Sequence, residues 1–269
     1  MVKNFFVIDS HCHIYPEKIA ERAVAGTSNF YSQVFACKGT VSDLAVEAKK
    51  AGIDFMIVQS VATTPKQVKS INEFIAREVA GSGGKMLGLG TLHPDSQDIA
   101  GDIAHLKELG LKGVKLHPDI QAFKLDDYRC LKIYELMEKE GLVLLLHTGD
   151  SRYDYSNPNR LLPILETYTN LKVIGAHFGG YSIWDEAIKV LPNHENFYVD
   201  CSSSFPFIKD KRRAVELIRA YGEDRVLFGT DYPMWSPKEE IDYFMSLDLT
   251  DTEKEKILSL NAKKLFGIK

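Results

Sequence analysis

The chain has 269 residues, of which 45% are hydrophobic and 26% charged, with a formal net charge of −4 and a pI near 6.1. That length and composition suit one large core, and α/β barrels of this size fold as one domain, here residues 1–269. The mild acidity, without a Lys/Arg block, argues against nucleic acid, and no apolar run approaches the ~20 residues of a membrane span. Met1–Phe5 runs straight into strand sequence without a cleavage region, and four scattered cysteines fit free thiols, so a cytoplasmic setting is expected.

In chain order, Asn4–His13 (NFFVIDSHCH) is predicted as a strand buried on both faces. Alternation along a strand puts His11 and His13 on one side, about 7 Å apart. Two imidazoles so placed can grip a metal ion or be ordinary loop polar groups. Ile14–Gly39 is long for a βα connection. It carries an amphipathic stretch, Glu17–Ala25, then aromatic residues, and reads as a lid or a packing excursion.

A regular pattern follows. Helices are predicted over Thr40–Ala51, from Thr64 to about Val79, and over Ile99–Leu109, Asp126–Glu140, Asn159–Tyr168, Trp184–Leu191, Lys211–Tyr221, Glu239–Leu247 and Thr250–Phe266. Thr250 and Glu253 form a capping box. Strands are predicted at Asp54–Ser60, Met86–Leu92, Lys112–His117, Leu142–His147, Leu171–His177, Asn196–Cys201 and Arg225–Asp231. After the first, strand centres recur every 25–32 residues, which means right-handed crossovers and a parallel sheet. Eight units in this length predict a single (β/α)8 TIM barrel, with a long loop after strand 1 and C-terminal helices. No G-x-G-x-x-G follows strand 1, against a dinucleotide site.

Barrel enzymes build their sites at strand C-terminal ends. Strand 1 ends in His11 and His13, strand 5 in His147, strand 6 in His177 and strand 8 in Asp231, while Lys115 and His117 share one face of strand 4. Six of the eight histidines lie at or near such ends, which satisfied core histidines would have no reason to do. The Gly179-Gly180 pair is expected to leave open space beside His177.

The set DSHCH at 9–13, VKLHP at 114–118, LHT at 146–148, AHFGG at 176–180 and GTD at 229–231 resembles the amidohydrolase superfamily, more narrowly its amidohydrolase-2 branch of metal-dependent hydrolases and decarboxylases. The closing NAKKLFG at 261–267 is similar to that branch's last helix. The resemblance implies one divalent ion, zinc first with manganese, iron or cobalt as alternatives, held by His11, His13, His147 and Asp231. It implies a catalytic Asp231 that carries the proton of a metal-activated water. His177 polarises the substrate or, alternatively, props a ligand. Lys115 reads as a carboxylate contact, a partner of Asp119, or a carbamylated bridge to a second metal. Together with His117, Arg152 and Arg160 it makes a substrate-binding set for an anionic compound. Gln121, Asp150, Asp200, Trp184 and Trp235 are expected pocket walls, and His93 a loop-packing residue.

The expected function is hydrolysis of a small, carboxylate-bearing amide, ester or lactone. The alternative is non-oxidative decarboxylation of a small aromatic or unsaturated acid on the same site. A TatD-like nuclease is disfavoured by the absence of a strand-4 glutamate, and a non-enzymatic binder by the complete ligand set. The expected partner is a small-molecule substrate, with homo-oligomerisation left open.

Overall fold

The computed structural model describes residues 5–192 and 194–269; Asn4, where the first strand was expected to begin, lies outside them. Eight parallel strands alternate with helices: β1 (Ile8–His13), β2 (Phe55–Gln59), β3 (Met86–Gly88), β4 (Gly113–Leu116), β5 (Val143–Leu146), β6 (Val173–Gly175), β7 (Phe197–Asp200) and β8 (Val226–Leu227). Ladders join β1–β2–β3 and β4 through β8. Single bridges close both seams. The Gly90 amide donates to the Gly113 carbonyl at 2.9 Å and the Lys115 amide to the Gly90 carbonyl at 2.8 Å. On the other side Ser10 donates to Phe228 at 2.9 Å and His13 to Tyr232 at 2.7 Å. The expected TIM barrel is present.

Alternation sorts the side chains. Val114, Leu116, Leu144, Leu146, Val173 and Val199 face outward into the layer between sheet and helices; Cys12 joins them because the β1–β2 register shifts between Asp9 and Cys12, which reverses the phase of alternation set by Ile8. Ile8, Ile57, Leu89, Leu145, Ile174 and Leu227 point inward and fill the barrel. The inward positions one or two steps further along the strands are the polar ones: Lys115, His117, His147, Asp200 and Asp231. Above the buried floor the strand ends thus present a polar mouth.

The strands are shorter than expected, most of all β8. Beyond Leu227 the Phe228 amide leaves the sheet and donates to the Ile257 carbonyl at 2.9 Å. Ile257 lies in a π turn (Lys256–Leu260) between the helices Asp251–Glu255 and Asn261–Phe266, and such a turn frees a carbonyl. The capping box of Thr250 and Glu253 is formed.

The stretch after β1 differs more. Helix α1 spans Glu17–Tyr31, six residues beyond the expected end at Ala25. Gly26 disfavours a helix interior by about 1 kcal/mol, but the helix is continued by packing of Phe30 and Tyr31 at its end. Ala20 alone of its residues is buried. Helices α2 (Val41–Ala51) and α3 (Val68–Gly81) follow. Among the described residues no helix is long and apolar enough to cross a membrane.

A buried carboxyl without a full set of partners lies outside the mouth. Glu240, in the helix Pro237–Met245, is 3% exposed and its Oε2 has no hydrogen-bond partner. Burial pushes its carboxyl well above the ordinary value, and the nearby Asp231 and Asp9 add to that. A raised carboxyl binds more protons folded than unfolded, so its contribution to stability is present at low pH and is lost as pH rises through its folded pKa. Glu240→Gln should therefore raise stability by about 1–3 kcal/mol above neutral pH. Denaturant melts across pH 5–9 should show the wild-type decline flattened in the variant; parallel curves would refute it.

Candidate metal centre

Three of the four expected ligands converge. His11 Nε2 lies 3.2 Å from His13 Nε2, and Asp231 Oδ1 is 3.3 Å from the first and 3.4 Å from the second. Lys115 Nζ approaches His11 Nε2 at 3.4 Å. His147 stands apart from this trio, in a group with His117 and Asp119. Its ring stacks on that of His117 at 4.0 Å, and its Nε2 is 3.6 Å from Asp119 Oδ2. All of these except Asp119 line one cavity at the barrel mouth.

The hydrogen bonds at the other ring nitrogens set the tautomers. Asp200 Oδ2 accepts from His11 Nδ1 at 2.9 Å, which leaves the lone pair of His11 on Nε2, facing the trio. The Ser202 carbonyl accepts from His177 Nδ1 at 2.9 Å, so His177 Nε2 is an acceptor. His147 Nδ1 must then donate to it, at 3.1 Å, and His147 also keeps its lone pair on Nε2. His117 Nδ1 accepts from the Ile120 amide at 3.2 Å as cap of the short helix Pro118–Gln121, so its Nε2–H donates to Tyr31 Oη at 2.7 Å.

Protonation agrees with ligation. Burial lowers the imidazoles of His11 and His13, pushes those of His117 and His147 well below the ordinary value, and takes His177 to about 4. For Asp231 burial acts upward, but His11, His13 and His177 overcome it and hold the carboxyl well below the usual range. Neutral imidazoles beside an ionised carboxylate are what a divalent cation requires. The donor set fits such an ion, with no thiolate near: Cys12 packs in the outer layer. Burial also lowers the Lys115 ammonium, to about 8, against the pull of Asp231 and Asp200.

The backbone at this end is strained. His177, Phe178, Ser203 and Asp231 all have left-handed φ, between 49° and 60°. Gly179 and Gly180 do not leave open space as expected. A Cβ on Gly180 would lie 2.7 Å from Ala187 Cβ, and one on Gly149 would lie 2.3 Å from Gly180 Cα. These glycines allow the loops after β5 and β6 to pack back to back.

The expected substrate contacts divide. Lys115 and His117 line the cavity. Lys115 makes no ion pair with Asp119, whose Oδ2 instead accepts from Ser156 at 2.6 Å. Arg160 is a correction: it is taken up by Asp126 at 2.9 and 3.0 Å and by Asp154, outside the cavity. Arg152 is also outside it. Its guanidinium pairs with Asp150 at 2.6 Å and stacks 4.8 Å over Phe30 and 5.1 Å over Tyr31, clamping the end of α1 to the loop after β5. Asp200, read as a wall, is a hub, and Tyr31 and Arg22, which also line the cavity, come from the segment read as loop. A helical stripe running on past Ala25 was the available signal. Asp200→Asn should weaken metal affinity about 10–100-fold while leaving the fold intact. Metal titration of the apo-protein checks this; unchanged affinity would refute the role of Asp200 in fixing His11.

The sequence profile of the amidohydrolase family matches residues 8–268. The 2-amino-3-carboxymuconate-6-semialdehyde decarboxylase of Dictyostelium discoideum is 25% identical over 239 residues, 74% of this chain and 66% of that protein. The chain therefore spans just under two thirds of that relative. A crystal structure of 5-carboxyvanillate decarboxylase from Sphingomonas paucimobilis matches with a TM-score of 0.78 at 15% identity, over 99% of this chain and 100% of that one. One of dihydroxybenzoic acid decarboxylase from Polaromonas sp. JS666, with bound manganese and the inhibitor 2-nitroresorcinol, matches with a TM-score of 0.75 at 19% identity, over 98% and 97%. At such identities the structural matches speak for the barrel. The profile match, running from β1 into the last helix, places this chain in the amidohydrolase family.

Proposed function

We propose that the protein is a metal-dependent, non-oxidative decarboxylase of a small aromatic or unsaturated acid. The observation that carries this reading is the trio His11, His13 and Asp231 with the Lys115 ammonium beside it, at the inner end of the cavity. The named relatives favour decarboxylation over the hydrolysis expected first. His11, His13 and Asp231 would hold the ion, with His147 offering its Nε2 lone pair as a fourth ligand. Imidazole and carboxylate donors suit manganese, which the Polaromonas enzyme binds, as well as zinc. When bound, the ion supplies positive charge that orients and polarises the acid and its neighbouring oxygen.

The chain's residues do the rest. Lys115 pairs with the substrate carboxylate. The bond from that carboxylate to the ring or vinyl carbon breaks, its electron pair stays on the carbon, the carbon takes up a proton, and CO2 leaves. Asp231 would act as the base that takes this proton from solvent and passes it to the carbon: it is an ionised carboxylate whose Oδ2 accepts from Ser203 at 2.5 Å, and Trp235 Nε1 donates to Ser203 Oγ at 2.7 Å. Both ring nitrogens of His177 are engaged, so its role in this reading is to position His147.

The test is CO2 release from dihydroxybenzoates and 5-carboxyvanillate by manganese- or zinc-loaded protein. Release should stop on chelation and return with metal, and Lys115→Met should lower kcat/KM about 30- to 1000-fold. Hydrolysis of lactones or amides without CO2 release from any acid would overturn the reading. His177→Asn separates two roles for that residue. A positioning residue weakens metal binding and is rescued by excess metal, whereas an acid–base group leaves a loss of about 10²–10⁴ at saturating metal.

A further inference from the structure

The cavity is larger than a single-ring acid needs. Its volume is about 620 Å³, whereas a cavity of about 150 Å³ already takes a benzene ring. The surplus lies away from the metal centre, between two helices. Along α1 the lining positions Ile19, Ala23, Gly26 and Phe30 recur at helical spacing, and along α3 Ile71 and Phe74 do the same. Two helical stripes therefore border one groove that runs without interruption into the mouth of the barrel. On α1 only Ala20 is buried, and Ile19 remains 39% exposed, so the helix holds an apolar stripe that the protein's own core does not cover. A Cβ on Gly26 would meet nothing within 4 Å. The floor of the groove is apolar where Phe74 reaches it, with 6% exposure.

We infer that the substrate is an amphiphilic acid: its carboxylate lies at Lys115 and the metal centre, and an apolar extension of several carbons lies in the groove between α1 and α3. This rests on the proposed reading of the metal centre as the seat of the carboxylate. The occupant is a small molecule because the groove is one space with that centre. The hydrophobic effect supplies the binding, since each methylene moved from water onto the stripe tightens it by up to about fourfold. Gly26 sets the reach of the groove. A leucine there projects into the open space, in a helix interior where leucine is favoured over glycine.

The experiment measures binding of 4-n-alkylbenzoates, from the unsubstituted acid to the octyl compound, to manganese-loaded protein by calorimetry. Affinity should rise by about two- to fourfold per carbon until the groove is filled. In Gly26→Leu, and separately in Ala23→Leu, the rise should be cut short while the affinity for benzoate itself is unchanged. An affinity independent of chain length, or an identical rise in wild type and both variants, overturns the inference. So does a preference for dicarboxylates of equal length that Arg22→Gln abolishes, which would assign the groove to a second acid group. The two readings fail separately. A flat series, or binding of no member, with CO2 release intact removes the apolar extension alone, a steep series without CO2 release removes only the decarboxylase, and binding of no member without CO2 release from any acid removes both.

Discussion

The mouth of the barrel depends on the carboxylate of Asp200. It accepts hydrogen bonds from His11 Nδ1 at 2.9 Å, from the His177 amide at 3.1 Å, and from the Ser202 amide at 3.0 Å and hydroxyl, and so ties the ends of β1, β6 and β7 together. Burial alone would raise its pKa, but His11 and His177 beside it, and the donors from His11 and Ser202, hold it well below the usual range. A buried charge is tolerable only when so satisfied. This charge dictates the rest in sequence. It turns the His11 lone pair toward Asp231, and it anchors the backbone where His177 enters a left-handed conformation. Through His177 and its bond to the Ser202 carbonyl, the same corner fixes the tautomer of His147.

Period-two alternation made much of this legible from residue types. A parallel strand in a closed barrel has one inward and one outward set, so His11 with His13, and Lys115 with His117, had to share a direction, with Cys12 opposed to its two neighbours; the register shift between Asp9 and Cys12 that turns those histidines inward, out of phase with Ile8, was not legible. The apolar runs were legible for the same reason, because both faces of such strands are buried. Asp200 obeys the same alternation, two residues after Tyr198. Its identity as a hub was illegible because the donors that converge on it come from residue 11 and from residues 177 and 202. Arg160 shows the converse: its place in sequence after β5 said nothing of Asp126, whose carboxylate takes it away from the cavity.

The end of α1 was misread for a different reason. Local propensity falls at Gly26, Thr27 and Ser28, and a local reading stops the helix there. The structure continues it because the gain is tertiary. Phe30 stacks on Tyr153 and under the Arg152 guanidinium, while Tyr31 lies against His117, His147 and Tyr181. Of the two readings of this segment, a lid or a packing excursion, its contacts suit the second: it is a wall, clamped at its far end by an arginine whose charge is already balanced by Asp150.

The seam between β1 and β8 has a bearing on how the molecule comes into being. His11 and Asp231 are separated by roughly 220 residues of chain, yet their donor atoms lie 3.3 Å apart. No fragment synthesised before the last strand holds both, so a growing chain cannot bring these two donors together until its barrel is nearly finished. An ion captured there would act as a late cross-link between the first and last strands of the barrel, stabilising the finished barrel over every partly built form of it.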